Sequence, residues 1–563
     1  MALTTSYACG SREQPLITQT LGDFFDAMAA RQGAREALVA CHQQRRLSWS
    51  ELAREVDVLA SAMLRSGLTR GDRVGIWAHN CVEWVLMQLA TAKVGIVLVN
   101  INPAYRVAEV EYALNKVGCK ALVLMPEFRT SDYLAMMREL APELASCAPG
   151  ELRAARLPQL RLLVQLGQTS EPGMLRFGEW MQRGSAGDPE VARTAATLGP
   201  DDPINIQFTS GTTGFPKGAT LTHSNILNNG YFIGEAMKLT QEDRLCIPVP
   251  LYHCFGMVLG NLACITHGAT IVYPNSAFDP LLTLQAVQAE RCTGLHGVPT
   301  MFIAMLDHPR FREFDMSTLR TGIMAGSPCP VEVMKRVVSD MHLSQITIAY
   351  GMTETSPVSC QSSTDTPLDR RVSTVGLVQP HLEVKIVDPA DGHTVEPGVA
   401  GELCTRGYSV MHGYWGDEQR THEAIDEEGW MHTGDLATMD AEGYVNIVGR
   451  IKDMVIRGGE NVYPREIEEF LYRHPMVQDV QVVGVPDAKY GEELCAWIIP
   501  KAGTSPTEDD IRGFCQGQIA HYKIPRYIRF VPSFPLTITG KVQKFKIRDA
   551  MKDELGLQEQ RTA

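Results

Sequence analysis

The chain has 563 residues, of which 44% are hydrophobic and 21% charged, a composition typical of a folded protein with more than one core and not of a fibrous or disordered chain. Its 65 acidic residues outnumber the 52 basic ones, and the formal charge of −13 disfavours nucleic acid or an anionic membrane surface as the main partner. The 14 cysteines show no Cys-x-x-Cys pair and no metal-ligand spacing, which favours reduced thiols and a cytoplasmic location.

The first part of the chain shows no targeting or membrane signal and then an alternating pattern. Residues 1–20 contain no apolar run long enough for a signal peptide, and runs such as VGIVLVNI at 94–101 are far shorter than the roughly 20 residues of a membrane helix. From Asp72 onward, strand-like and helix-like segments alternate, and Gly95 and Gly118 are placed to end helices. The pattern predicts a parallel α/β sheet.

The rest of the chain divides into four segments. Residues 145–200 are rich in Arg, Gly, Pro and Glu and are expected to be an irregular surface excursion, whereas residues 202–350 predict a second α/β sheet. Short strands with Gly and Asp turns over 383–447 predict a small β-rich subdomain. After Arg450, an amphipathic helix near Ile467, a buried strand and a helix start at Thr507 predict a small α+β domain.

The stretch FTSGTTGFPKG at 208–218 combines three threonines, a serine, three glycines and a lysine in one short segment. Glycine brings backbone N–H groups close to a ligand, hydroxyls add donors and lysine adds a charge, so the composition suits a polyphosphate. The spacing fails the Walker A pattern, because Pro216 stands where its second glycine belongs. Alternating apolar residues on both sides predict that the loop joins two strands. An ordinary Ser/Thr/Gly turn remains the alternative.

Further motifs follow in order: PLYHCFG at 250–256, YGMTETSP at 350–357, TGDL at 433–436, GRIKDMVIRGGENVYPREIE at 449–468 and TGKVQK at 539–544. With the loop above, this ordered set resembles that of the adenylate-forming (ANL) superfamily, and its wording most resembles the medium-chain acyl-CoA synthetases. The resemblance implies a large N-terminal AMP-binding domain over 1–450, with two α/β sheets and a β-rich subdomain, and a mobile α+β lid over 451–563.

The resemblance also implies an ATP site. It assigns the phosphates to Thr209, Ser210, Gly211, Thr212, Thr213, Gly214 and Lys217. Glu354 is the implied Mg²⁺ ligand, with Thr353 beside it, and Tyr350 and Gly326 are implied to hold the adenine. Asp435 would accept both ribose hydroxyls, supported by Arg450. Lys541 matches the catalytic lysine of the family, placed where the acyl oxygen meets the α-phosphorus.

Two further features concern the acyl group and coenzyme A. His253 is implied to line the acyl pocket, although a hydrogen-bonded core histidine is the alternative, and Tyr231 and Phe232 are either pocket wall or core. Cys254 lies beside His253 and could be interpreted as a thiol nucleophile, but the chemistry that the resemblance implies requires no nucleophile from the protein. Lys452 is the implied hinge, whose rotation would replace the lysine-bearing face with Gly458 and Gly459, leaving a channel for the pantetheine arm.

The sequence thus predicts an ATP-dependent fatty acyl-CoA ligase that uses ATP, Mg²⁺ and coenzyme A, with a medium-chain fatty acid as substrate. A short, branched or terpenoid carboxylate is the alternative substrate. The alternative classes are a carrier-protein adenylation module, disfavoured because only about twenty residues follow Lys541, an adenylate-binding protein without ligase activity, and a luciferase-like oxygenase. A homodimer is compatible with the sequence, which does not fix the oligomeric state.

Overall fold

The computed structural model describes residues 3–209, 216–327, 329–457, 460–487, 489–537 and 540–557. Ser210 to Gly214, Gly458 and Gly459, which carry predictions made above, lie outside the described residues. Among the described residues, none of the helices combines the length and the apolar character that crossing a bilayer requires. The fold is α/β with several sheets, as the sequence predicts.

The first sheet contains the early alternating segments and both strands that flank the glycine-rich loop. Most neighbours run parallel, and Pro203–Thr209 pairs antiparallel with Lys217–Thr222, with Thr209 opposite Lys217. The prediction that the loop joins two strands is therefore confirmed. In spatial order the strands are Leu175–Arg176, Leu162–Gln165, Ala121–Leu124, Arg73–Trp77, Val97–Asn100, Pro203–Thr209, Lys217–Thr222 and Gly413–Tyr414.

The second sheet is also mainly parallel and corresponds to the predicted α/β stretch over 202–350. Its spatial order is Leu377–Val378, Val358–Gln361, Gln345–Gly351, Thr321–Ala325, Gly294–Gly297, Arg244–Cys246, Thr270–Tyr273, Glu36–Ala40 and Arg45–Ser48. Helix Val82–Lys93 belongs to the large core that takes residues from both sheets and is buried on nearly every side, which explains why its sequence is apolar all round.

A third, antiparallel sheet forms the predicted β-rich subdomain. Its order is Tyr7–Cys9, Leu382–Val387, Gly401–Gly407, Met431–Met439 and Val445–Arg450. The last two strands place Asp435 directly opposite Arg450. A small hairpin pairs Glu127–Phe128 with Ser131–Asp132.

The C-terminal segment has its own sheet, in the order Glu460–Val462, Val455–Arg457, Gly491–Pro500 and Val477–Asp487, with Tyr527–Phe530 beside Gly491–Pro500. Apolar side chains of this sheet and its helices form hydrophobic clusters separate from the large core, as expected of a small domain. It contacts the rest of the chain where Arg465 Nη1 donates to the Ile447 carbonyl at 2.6 Å.

Helices connect and cover these sheets. The α-helices are Leu21–Gln32, Trp49–Arg65, Val82–Lys93, Val107–Val117, Tyr133–Leu140, Phe177–Met181, Pro189–Ala195, His223–Ala236, Ala263–His267, Pro280–Ala289, Pro299–Leu306, Val331–Asp340, Leu368–Ser373, Glu418–Ala424, Pro464–Leu471, Glu508–Cys515 and Lys544–Leu555. A π-helix spans Phe255–Leu262, and 3₁₀ turns span Cys41–Gln43, Pro142–Ala145, Phe311–Glu313, Thr353–Thr355, Ile451–Asp453 and His521–Lys523.

Local signals gave the helix ends correctly. Gly118 caps helix Val107–Val117 with φ +62°, and Gly95 follows helix Val82–Lys93 with φ +65°. Thr507 begins helix Glu508–Cys515 through a capping box with Asp510.

One expectation about an irregular segment was wrong. Residues 145–200 include helices and two strands: Leu162–Gln165 pairs in parallel with Ala121–Leu124, and Leu175–Arg176 forms the edge beside it. In the segment after Arg450, Val455–Arg457 likewise forms a strand by pairing with Glu460–Val462. In both cases the pairing partner, which the local composition does not reveal, makes the strand.

Candidate active site

The side of the candidate site predicted to hold the phosphates is a hydrogen-bonded chain of side chains from separate elements. Lys217 Nζ donates to Tyr414 Oη at 2.9 Å, and Tyr414 Oη donates to Glu354 Oε1 at 2.9 Å. Thr209 Oγ1 donates to the same carboxylate oxygen at 3.0 Å. The two ends of the glycine-rich loop are therefore linked to Glu354, and the intervening predicted residues lie outside the described ranges.

Glu354 lies in the buried 3₁₀ turn Thr353–Thr355, just after strand Gln345–Gly351, and is only 4% exposed. Its backbone carbonyl accepts from Met411 N at 2.9 Å, which fixes the turn against the segment before Tyr414. Among the described residues no hydrogen bond reaches Oε2, so one carboxylate oxygen is left as a ligand atom. Thr353 is buried in the same turn, 3.8 Å from Cys254 Sγ.

The side predicted to hold the nucleoside, here called the nucleoside side, centres on Asp435. Tyr350 Oη donates to Asp435 Oδ2 at 2.8 Å, and Arg450 Nε lies 3.1 Å from Oδ1. Burial, and then the Asp435 charge, raise the pKa of Tyr350 well above its ordinary value, so its hydroxyl stays a donor. Gly326 follows strand Thr321–Ala325 with φ +89°, and a Cβ there would lie 3.2 Å from Val298 Cγ1. A side chain at this position would be strained and crowded.

The C-terminal segment brings Lys541 to this site. The lysine lies in a tight turn, where Lys541 N donates to Thr537 Oγ1 at 3.0 Å and Thr537 N donates to the Lys541 carbonyl at 2.8 Å. Gly540 beside it packs so closely on the N-terminal part that a Cβ would lie 3.0 Å from Val298 Cγ2 and 3.1 Å from Thr300 Oγ1.

The Lys541 ammonium is electrostatically coupled to both charges of the nucleoside side. Lys541 is an exposed residue, yet protein atoms nearby partly desolvate its ammonium. This desolvation, with repulsion from Arg450 that outweighs attraction to Asp435, lowers the pKa of Lys541 to about 8. Burial, and then the Lys541 charge, lower the pKa of His253 to about 4, so His253 is neutral beside the lysine.

The other predicted residues take less central positions. Lys452 lies in the 3₁₀ turn Ile451–Asp453, where burial and Arg450 lower its pKa. Phe232 is 1% exposed and packs against the rings of His381 and Tyr408, so it is core. Burial raises the pKa of the Cys254 thiol to about 12, which argues against a thiolate nucleophile.

The sequence analysis missed Tyr414. Its hydroxyl joins Lys217 to Glu354, yet Tyr414 is 197 residues from the first and 60 from the second along the chain. No local motif marks it, since a Gly-Tyr pair in a turn-rich segment is ordinary.

The comparisons with known proteins place the chain in a family. The model of the AMP-binding enzyme family matches residues 25–415, and that of the AMP-binding enzyme C-terminal domain matches residues 466–541. The chain therefore belongs to the AMP-binding enzyme family.

Curated and solved relatives extend over nearly the whole chain. The Bacillus subtilis (strain 168) protein YngI, whose own name as an acyl-CoA synthetase is provisional, is 49% identical over 95% of this chain and 97% of its own length. The mitochondrial medium-chain acyl-CoA ligase ACSF2 of Bos taurus is 47% identical over 98% of this chain and 91% of its own. The structure of the anthranilate CoA ligase AuaEII with anthranoyl-AMP is similar with a TM-score of 0.86 at 26% identity, covering 97% of this chain and 99% of that one.

Proposed function

We propose that the protein is an ATP-dependent acyl-CoA ligase, which joins a carboxylate to AMP with release of diphosphate and then transfers the acyl group to the thiol of coenzyme A. One observation carries the proposal: Gly540, next to Lys541, packs on Val298 and Thr300 of the rest of the chain, which brings Lys541 within electrostatic reach of the Asp435–Arg450 pair. Relatives at 47–49% identity over almost the full length bear acyl-CoA synthetase and ligase names, in support.

The described side chains suit the parts of MgATP. Thr209 and Lys217 would hold the phosphates together with the loop between them. Asp435, backed by Arg450, offers two carboxylate oxygens to the ribose hydroxyls, and Tyr350 with Gly326 would border the adenine. We propose the division into 1–450 and 451–563 as the domains that contribute these groups.

Glu354 fits a Mg²⁺ ion. Hard cations prefer oxygen ligands, and Mg²⁺ uses one or two protein carboxylates together with phosphates and water. Thr209 and Tyr414 both donate to Oε1, which holds the carboxylate in one orientation without occupying Oε2. When bound, Mg²⁺ would neutralise phosphate charge, and Thr353 would support the turn that presents its ligand.

Lys541 would act where charge reorganises during adenylation. An ammonium there stabilises the negative charge that moves from the attacking carboxylate onto the phosphoryl oxygens. His253 stays neutral beside it and would border the acyl carboxylate without adding a competing charge. With its pKa near 8, Lys541 is mainly protonated at neutral pH.

The second half-reaction requires the lysine to leave. Gly540 packs on Val298 and Thr300, and we propose that this contact blocks the approach of a thiol to the acyl carbonyl. We propose that rotation at Lys452 withdraws this contact and brings Gly458 and Gly459 to line the channel for coenzyme A.

A medium-chain fatty acid is the proposed substrate, in keeping with the printed name of the ACSF2 relatives, and a short, branched or terpenoid acid is the alternative. The experiment is a panel of acids from acetate to palmitate, with branched and aromatic members, assayed for AMP release with and without coenzyme A. CoA-dependent AMP release that peaks at medium-chain acids supports the proposal. The proposal would be refuted if none of the acids in the panel caused release of diphosphate. The cytoplasmic location and a homodimer stay predictions.

A further inference from the structure

Three residues of the β-rich subdomain bring metal-ligand atoms together next to the nucleoside side of the site. Glu402 and Cys404 lie two residues apart on strand Gly401–Gly407, and His432 lies opposite Cys404 on the neighbouring strand Met431–Met439. One carboxylate oxygen, Sγ and one ring nitrogen all lie within 4.8 Å of one another. The spacing Glu-x-Cys followed by a distant His gives no local sequence signal, because the trio depends on strand pairing.

The distances are close to those of a metal centre. His432 Nδ1 lies 3.4 Å from Cys404 Sγ and 3.0 Å from Glu402 Oε2. Zinc bonds of about 2.3 Å to sulfur and about 2.0–2.2 Å to nitrogen or oxygen, at tetrahedral angles, place neighbouring ligand atoms about 3.3–3.6 Å apart. A shift of a few tenths of an ångström would therefore admit the ion.

Neighbouring groups orient the three donors, as outer groups orient the ligands of a metal site. Glu402 Oε1 accepts from Gly434 N at 3.0 Å, which orients the carboxylate, and His432 Nε2 lies 3.6 Å from Asp426 Oδ2. A carboxylate behind the second ring nitrogen is the usual partner of a metal-bound histidine. Lys385, opposite Cys404 on the other neighbouring strand, lies with its ammonium 4.4 Å from the Trp430 ring centroid.

The burial and the chemistry of the three donors favour a borderline-soft ion that keeps one coordination position free. Cys404 is fully buried and the Glu402 side chain is 14% exposed, whereas the His432 side chain is 37% exposed and gives access from solvent. One thiolate, one imidazole and one carboxylate suit Zn²⁺ far better than Mg²⁺, which prefers oxygen alone. Within the described parts of the chain the cluster offers three protein donors, so water or an external ligand would complete the coordination.

We propose that Glu402, Cys404 and His432 bind one Zn²⁺-class ion, separate from the Mg²⁺ site at Glu354 and independent of the ligase function. Binding forms a bond from the metal to the Cys404 sulfur and breaks its S–H bond, and the proton passes to the buffer. The ion would tie two strands together three residues before Asp435 on the strand Met431–Met439, where Thr433 Oγ1 and Gly434 N already contact the Gly401–Gly407 strand.

The test is titration of the chelator-treated full chain with Co²⁺ alone, followed by absorption spectroscopy. One equivalent of Co²⁺ should give a thiolate-to-cobalt charge-transfer band that Zn²⁺ abolishes. Cys404→Ser should lose the band, and Asp426→Asn should weaken Co²⁺ binding about 10- to 100-fold. Cys147→Ser, a half-buried cysteine elsewhere, and Glu354→Gln should both keep it.

Two results would overturn the proposal: no charge-transfer band at all, or a band that Cys404→Ser leaves unchanged. If Cys404→Ser does not fold, His432→Gln decides instead, because its partly exposed ring can be replaced with little packing loss. A His432→Gln chain that keeps the band at unchanged affinity would equally refute the site. A Zn²⁺-dependent rise in thermal midpoint, present in Cys147→Ser and absent in His432→Gln, provides a second readout.

Discussion

Replacement of Lys541 by alanine should separate the two half-reactions. The substitution removes the ammonium, whose charge acts on Asp435, Arg450 and His253, and it leaves the hydrogen bond from Thr537 N to the Lys541 carbonyl intact. A donor of this kind typically contributes about 3–4 kcal/mol, so adenylation should slow about 100- to 1,000-fold. Thioester formation from supplied acyl-AMP should keep its rate, because that step takes place after the lysine has left.

The assay measures diphosphate release in a single turnover with acid and MgATP, and, separately, acyl-CoA formation from synthetic acyl-AMP and coenzyme A. Lys546→Ala is the matched control, since it removes another exposed lysine from the same C-terminal segment without touching the site. Equal losses in both half-reactions for Lys541→Ala would show that the lysine does not act in adenylation alone. They would also remove the reason for two lid positions.

Three other predictions follow from the same geometry. Because Lys541 loses its proton as the pH rises past its pKa of about 8, the adenylation rate should fall about tenfold from pH 7 to pH 9, whereas the rate of the thioester step should not change. Lys541→Arg, which keeps its charge at pH 9, should flatten this pH profile. A tenfold fall that persists in Lys541→Arg would show that another group causes the pH dependence. Lys452→Pro, which fixes φ at the proposed hinge, should spare diphosphate release and block acyl-CoA formation from acyl-AMP, and an unimpaired second step would eliminate that hinge. Tyr414→Phe removes hydrogen bonds of 2.9 Å to Lys217 and to Glu354 and should lower kcat/KM for MgATP about 10- to 150-fold. Kinetics equal to those of the wild type would show that these two hydrogen bonds do not contribute to the reaction.

Much of the fold and part of the candidate site could be predicted because their signals are local. Alternation of apolar and polar residues predicted the strands on either side of the glycine-rich loop, and capping residues such as Gly118 and Thr507 predicted helix ends. The roles given to Asp435, Arg450 and Lys541 came from a resemblance to a family and stay predictions; the structure places Asp435 and Arg450 in contact, with Lys541 within electrostatic reach.

By itself the sequence determined which chemical groups the protein carries, their order, and the local turns and helices that present them, because those depend on backbone preferences and on nearest neighbours. Tertiary structure alone decided which distant groups meet. Tyr414 joins Lys217 to Glu354, Tyr7–Cys9 completes the sheet of the β-rich subdomain, and Cys404 faces His432 only through strand register. Such contacts result from how whole sheets pack and pair, and no short segment of sequence encodes its partner.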